Sequence, residues 1–147
     1  MKSWRDFIDS FMEMQDSAAD INRQSGFTTD DDLCNRLAAS ASKEEFERFS
    51  PLFASFRHAR AGLKLMLSVG ELGETLEAIR KNVGADTHIP NFTAEEAEVA
   101  DCIIRLMNYA TDRKLRLAAA IVAKNEYNRN RADHSAEGRA AVHGKQF

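Results

Sequence analysis

The chain has 147 residues, enough to bury a core without disulfide or metal staples. Its 44% hydrophobic and 29% charged residues exclude wholesale disorder and a fibrous repeat. No uncharged run approaches the length of a membrane span; the apolar run from Leu117 to Ala123 is only a handful of residues. No apolar signal-peptide core follows Met1-Lys2-Ser3-Trp4-Arg5-Asp6, and Cys34 and Cys102 form neither a CxxC nor a disulfide framework. A cytoplasmic protein is therefore expected. The net charge of −3 is unevenly spread. Residues 1–101 hold 11 Lys/Arg against 19 Asp/Glu, and residues 102–147 hold 9 against 4, so an acidic body precedes a basic end. That balance argues against nucleic acid as a partner of the whole chain.

Abundant alanine and sparse β-branched residues point to helices. Ser3-Trp4-Arg5-Asp6 reads as a capped helix start, followed by Phe7, Ile8, Phe11, Met14, Ala18 and Ile21 at helical spacing, with Gly26 ending the run. Residues 28–42 form a short capped segment, and Lys43 to Phe49 a second short helix. Ser50-Pro51 opens a long helix that runs to Asn82, where Val83-Gly84 is a stop. Residues 84–92 are a loop. Thr93-Ala94-Glu95-Glu96 caps a helix to about Asp112, and a last helix covers about Leu115 to Asn130. The expected fold is all-α, a bundle of four to five helices in one domain. Residues 1–57 supply N-terminal helices, 58–131 a helical core and 132–147 a polar tail.

The chemistry lies in the acids. In the long helix, Val69, Leu72, Leu76, Ile79 and Val83 make an apolar stripe, and Glu71 and Glu74 are neighbours three residues apart. No lysine or arginine occurs among residues 65–79 to balance them. In the next helix Glu98 and Asp101 repeat the spacing, and apolar residues nearly surround Asp101, which predicts burial on most faces. Either pair alone reads as a solvated acidic face. Two pairs on adjacent antiparallel helices can put four carboxylates around one point, an all-oxygen set suited to Mg²⁺ or Mn²⁺. A di-iron bundle would want Glu-x-x-His pairs, and no histidine here has a glutamate three residues before it.

The last helix carries Lys124, Asn128 and Arg131 on one side, after the apolar run. They suit polyphosphate oxygens, or else simply complement the helix dipole. Cys34 and Cys102 read as packing residues.

Gly70-Glu71-Leu72-Gly73-Glu74, then Glu98-Val99-Ala100-Asp101, then Lys124-x3-Asn128-x2-Arg131 resemble the MazG-like all-α nucleoside triphosphate pyrophosphohydrolases. Leu117, Ala120 and Ile121 fall where that family has Leu-x-x-Ala-Ile. The end of the chain, with Arg131-Ala132-Asp133-His134, Glu137, Arg139 and Gly144-Lys145-x-Phe147, is similar to its tails. The resemblance covers about residues 58–147. It implies Mg²⁺-dependent hydrolysis (Mn²⁺ substituting) of a nucleoside triphosphate to monophosphate and pyrophosphate. Glu71, Glu74, Glu98 and Asp101 are the metal ligands it implies, with Glu71 or Glu74 taking the proton from water and Lys124, Asn128 and Arg131 on the phosphates. Auxiliary candidates are Glu77, Arg80 and Lys81, with His58 and Asn108 on the base side. Gly70 stands where many members have a first glutamate, which leaves open a bundle that binds nucleotide or a protein partner without turnover. The family also implies a homodimer or dimer of dimers. No membrane partner is expected.

Overall fold

The computed structural model describes residues 3–27 and 29–131. They form five helices: α1 (Trp4–Gln24), α2 (Thr29–Ser40), α3 (Lys43–Lys81), α4 (Ala94–Asp112) and α5 (Leu117–Arg129). No strand occurs among the described residues, so the fold is all-α; an isolated bridge between Ala85 and Thr93 closes the α3–α4 loop. Two compact units are present, one spanning Met14–Lys114, the other combining Met1–Glu13 with Leu115–Phe147. Among the described residues no helix is long and apolar enough to cross a membrane. The tail motifs after Arg131 lie outside the described residues.

Local chemistry sets most helix ends. At α1, the Ser3 backbone N–H donates to Asp6 at 3.0 Å, and the Asp6 N–H to the Ser3 hydroxyl at 3.3 Å. Capping boxes start α3 (Ser42 with Glu45) and α4 (Thr93 with Glu96), each satisfying two otherwise orphaned donors. Asn82 ends α3 in the left-handed region at φ 51°, a conformation asparagine tolerates better than most residues.

One boundary differs from the sequence reading. The short helix at Lys43–Phe49 and the long helix opening at Ser50-Pro51 are a single 39-residue helix with Pro51 inside it. Proline has no N–H to give the carbonyl four residues back, at Glu47. The Ser50 hydroxyl donates to that carbonyl at 3.2 Å, and the turn continues.

In the Met14–Lys114 unit, α3 and α4 pair antiparallel. Glu71 meets Arg105 and Lys64 meets Asp112, so seven residues back along α3 correspond to seven forward along α4. The buried stripe of α3 is Ser68, Glu71, Thr75 and Ala78, against Cys102, Met107 and Ala110 of α4. These side chains are mostly small. The Ser68 and Thr75 hydroxyls donate to carbonyls of their own helix, at Lys64 and Glu71, so the stripe carries polar groups without leaving them unpaired. Two expectations are corrected here. The stripe Val69, Leu72, Leu76, Ile79 and Val83 is exposed, and α4 exposes Val99, Ile103, Ile104 and Leu106 along with Asp101. The ion-paired stripe takes the α3–α4 contact, and the larger apolar side chains fall on its flanks.

In the other unit Phe7 stacks edge-on to Trp4 and lies 5.7 Å from Phe11, and the Arg129 guanidinium sits 5.6 Å above the Trp4 ring.

Two substitutions test this account by urea unfolding. Thr93→Ala removes a cap and should cost about 1 kcal/mol. Gly62 lies inside α3 with nothing within 4 Å of an added Cβ, so Gly62→Ala should add about 0.5–1 kcal/mol. The reverse signs would mean that α3 and α4 are not held as described.

Candidate metal centre

Glu71 and Glu74 stand on adjacent turns of α3, and Glu98 comes from the first half of α4. One carboxylate oxygen from each lies within 4.8 Å of the other two. Glu71 is buried, Glu98 half-buried and Glu74 exposed, so the cluster opens to solvent on one side. The Arg105 Nε–H donates to Glu71 Oε1 in a close ion pair. That pair supplies the positive charge that residues 65–79 lack.

Crowding shows in Glu98. Its carboxyl is pushed above the ordinary range, first by burial and then by the charges of Glu74, Glu71 and Asp101; a hydrogen bond with Glu71 also favours the protonated form. Three carboxylates against one guanidinium leave the site electron-rich. Hard oxygen donors of this kind suit an alkaline-earth ion or Mn²⁺ over thiophilic metals. The donor set therefore fits a divalent cation, and protons compete with it for Glu98.

The structure brings together three of the four expected ligands. Asp101 is exposed and outside the cluster, although its charge is felt at Glu98. Glu77 is committed elsewhere. It pairs with Arg80 at 2.7 Å and Lys81 at 2.8 Å, and these partners hold its carboxyl down at about 2. The three form a local cluster at the end of α3. The His58 Nδ1–H donates to the Ala54 carbonyl of its own helix at 2.9 Å, and the side chain is exposed. Asn108 lines a cavity of about 230 Å³ beside Arg105, with its buried Oδ1 lacking a hydrogen-bond partner among the described residues.

The basic residues of α5 belong to the other unit. Lys124 and Arg131 do share a side, with both cations over the Tyr127 ring at 4.8 and 5.7 Å. The Asn128 Oδ1 is buried without a hydrogen-bond partner among the described residues. Arg105 is the residue the sequence reading missed. Its signal was its spacing, seven residues after Glu98 and four after Asp101, which returns it to the acidic side of α4. Scanned against protein-family models, curated proteins and solved structures, the chain matches none.

Since the folded carboxyl of Glu98 titrates above its unfolded value, its ionised form costs stability once pH exceeds the unfolded value of about 4.3, and protonation relieves that cost as pH falls. Glu98→Gln should therefore raise the melting temperature in EDTA at pH 7 and leave it nearly unchanged near pH 4. The same substitution should abolish the rise that Mn²⁺ produces in the wild type. A variant less stable in EDTA that still responds to Mn²⁺ would place the ion elsewhere.

Proposed function

We propose that this chain is a divalent-metal-dependent nucleoside triphosphate pyrophosphohydrolase, using Mg²⁺ or Mn²⁺ in the cytoplasm and releasing a nucleoside monophosphate and pyrophosphate. The observation that carries the reading is the convergence of Glu71, Glu74 and Glu98 from two helices. These are three of the positions that the MazG-like resemblance assigns to metal ligands.

A bound divalent ion would neutralise the triphosphate and polarise its α-phosphorus. The protein's own part begins with Glu71 and Glu98, the less exposed acids, which would hold the cation. Glu74 is exposed and has no cationic partner among the described residues. It is the acid most available to take the proton from an attacking water. Arg105 lies at the edge of the cluster on Glu71, where a phosphate oxygen can take over its N–H. Lys124, Asn128 and Arg131 keep the phosphate-binding role that the resemblance assigns them.

The Arg105–Glu71 pair also favours a second reading, because an acid already ion-paired is a weaker metal ligand. With Gly70 in place of a further acid, the chain would then bind nucleotide or a protein partner without turnover. Mass analysis of products from a panel of triphosphates with Mg²⁺ separates the two. The enzymatic reading expects monophosphate and pyrophosphate, and at least a roughly hundredfold fall in kcat/KM for Glu74→Gln with an unchanged melting temperature. Diphosphate with orthophosphate, or full activity in Glu74→Gln, would reject it; binding without products supports the second reading.

The proposal includes a homodimer or dimer of dimers. It is supported by the exposed side chains Leu72, Leu76 and Ile79 on α3 and Val99 and Ile103 on α4, apolar surface that a second copy would cover. Light scattering should give two or four times 16.5 kDa, and Leu72→Glu/Leu76→Glu should lower the mass. An active wild-type monomer at micromolar concentration would reject the assembly.

A further inference from the structure

The stripe of α3 that contacts α4 changes sign along its length. Glu71 lies on its acidic part; Lys64, two turns earlier and so about 10 Å along the axis, lies on a basic part with Arg60 and Arg57. That basic part borders a cavity of about 640 Å³ within the Met14–Lys114 unit. The volume lies in the range of small-molecule sites. Arg23 of α1, Arg113 and Lys114 complete six basic side chains around it, against Asp32 and Asp112 among the described residues.

The pairing of these groups is incomplete in one direction. Arg23 pairs with Asp20 and Lys64 with Asp112. Arg57 gives an N–H to the neutral amide oxygen of Asn35 at 3.0 Å, which leaves its charge uncompensated by that contact. Among the described residues neither Arg113 nor Lys114 has a carboxylate partner. Lys114 moreover occupies a left-handed backbone position at φ 53°, just past α4, where glycine would be the relaxed choice. A long cation thus occupies a strained backbone position on the lining of the basic cavity.

We propose that this cleft is a metal-independent binding site for a small phosphorylated anion of nucleotide size, distinct from the carboxylate cluster. Guanidinium groups from α1, α3 and the end of α4 approach from several sides, which suits the several oxygens of a polyphosphate. Tyr109 and Asn35 add a ring and an amide to the lining. The site goes beyond the hydrolase reading and does not depend on it, since the carboxylates repel an anion until a cation is bound.

Calorimetric titration with ATP in EDTA tests the assignment. The wild type should bind one ATP per chain, weakening as salt is raised. Arg113→Gln/Lys114→Gly should weaken binding at least tenfold, and its melting temperature should not fall, because glycine relaxes the left-handed position. Glu74→Gln should bind ATP in EDTA as the wild type does, which keeps this result separate from any result on hydrolysis. Absence of ATP binding in EDTA, or wild-type affinity in the double variant, would overturn the proposal. So would loss of binding in Glu74→Gln.

Discussion

The ion pair between Glu71 and Arg105 is the contact on which the rest of the α3–α4 arrangement depends. A buried carboxylate without a cation would be driven to protonate or to unfold its surroundings. Arg105 meets that need from the opposite helix. Together with Lys64 and Asp112, a pair of opposite polarity two turns away, it fixes the antiparallel register. Sliding α4 by one turn would remove both partners from their acids and cations at once. This register is also what carries Glu98 to Glu71 and Glu74.

The same pairing explains why the cluster is poised rather than at rest. One guanidinium faces three carboxylates, and the carboxyl of Glu98 is pushed up first by its burial and then by the charges of Glu74, Glu71 and Asp101. A divalent cation would relieve this imbalance more fully than Arg105 can, since it brings two charges and accepts oxygens from all three acids. At Glu98 the arrangement that would favour binding a cation costs stability while none is bound. Farther along α3 the stripe becomes basic, and an anion there faces the opposite field.

Much of the fold was legible in the sequence because helix ends are written locally. Ser42 with Glu45 and Thr93 with Glu96 are capping boxes in the chain as in space, and Asn82-Val83-Gly84 ends α3 as expected. The break expected at Pro51 failed because one hydroxyl, on Ser50, replaced the missing donor. The orientation of α3 was harder to read. Its apolar residues and its small polar ones form two stripes of similar length, and hydrophobicity favoured the stripe that turns out exposed. What chose the other was Arg105, 34 residues after Glu71. Glu71 with Glu74, and Glu98 with Asp101, stand out by a three-residue spacing within one helix, and the register of α4 carries Glu98 alone to the other two. Asp101 shares that spacing but turns to solvent, and no pattern within one helix distinguishes it from Glu98.

The most direct test is a crystal structure of the protein soaked in Mn²⁺, with anomalous scattering used to locate the ion. The account predicts one or more Mn²⁺ peaks bounded by carboxylate oxygens of Glu71, Glu74 and Glu98, with the Arg105 guanidinium drawn away from Glu71. An intact Glu71–Arg105 pair with no manganese between α3 and α4, or manganese bound only at other acids, would contradict it.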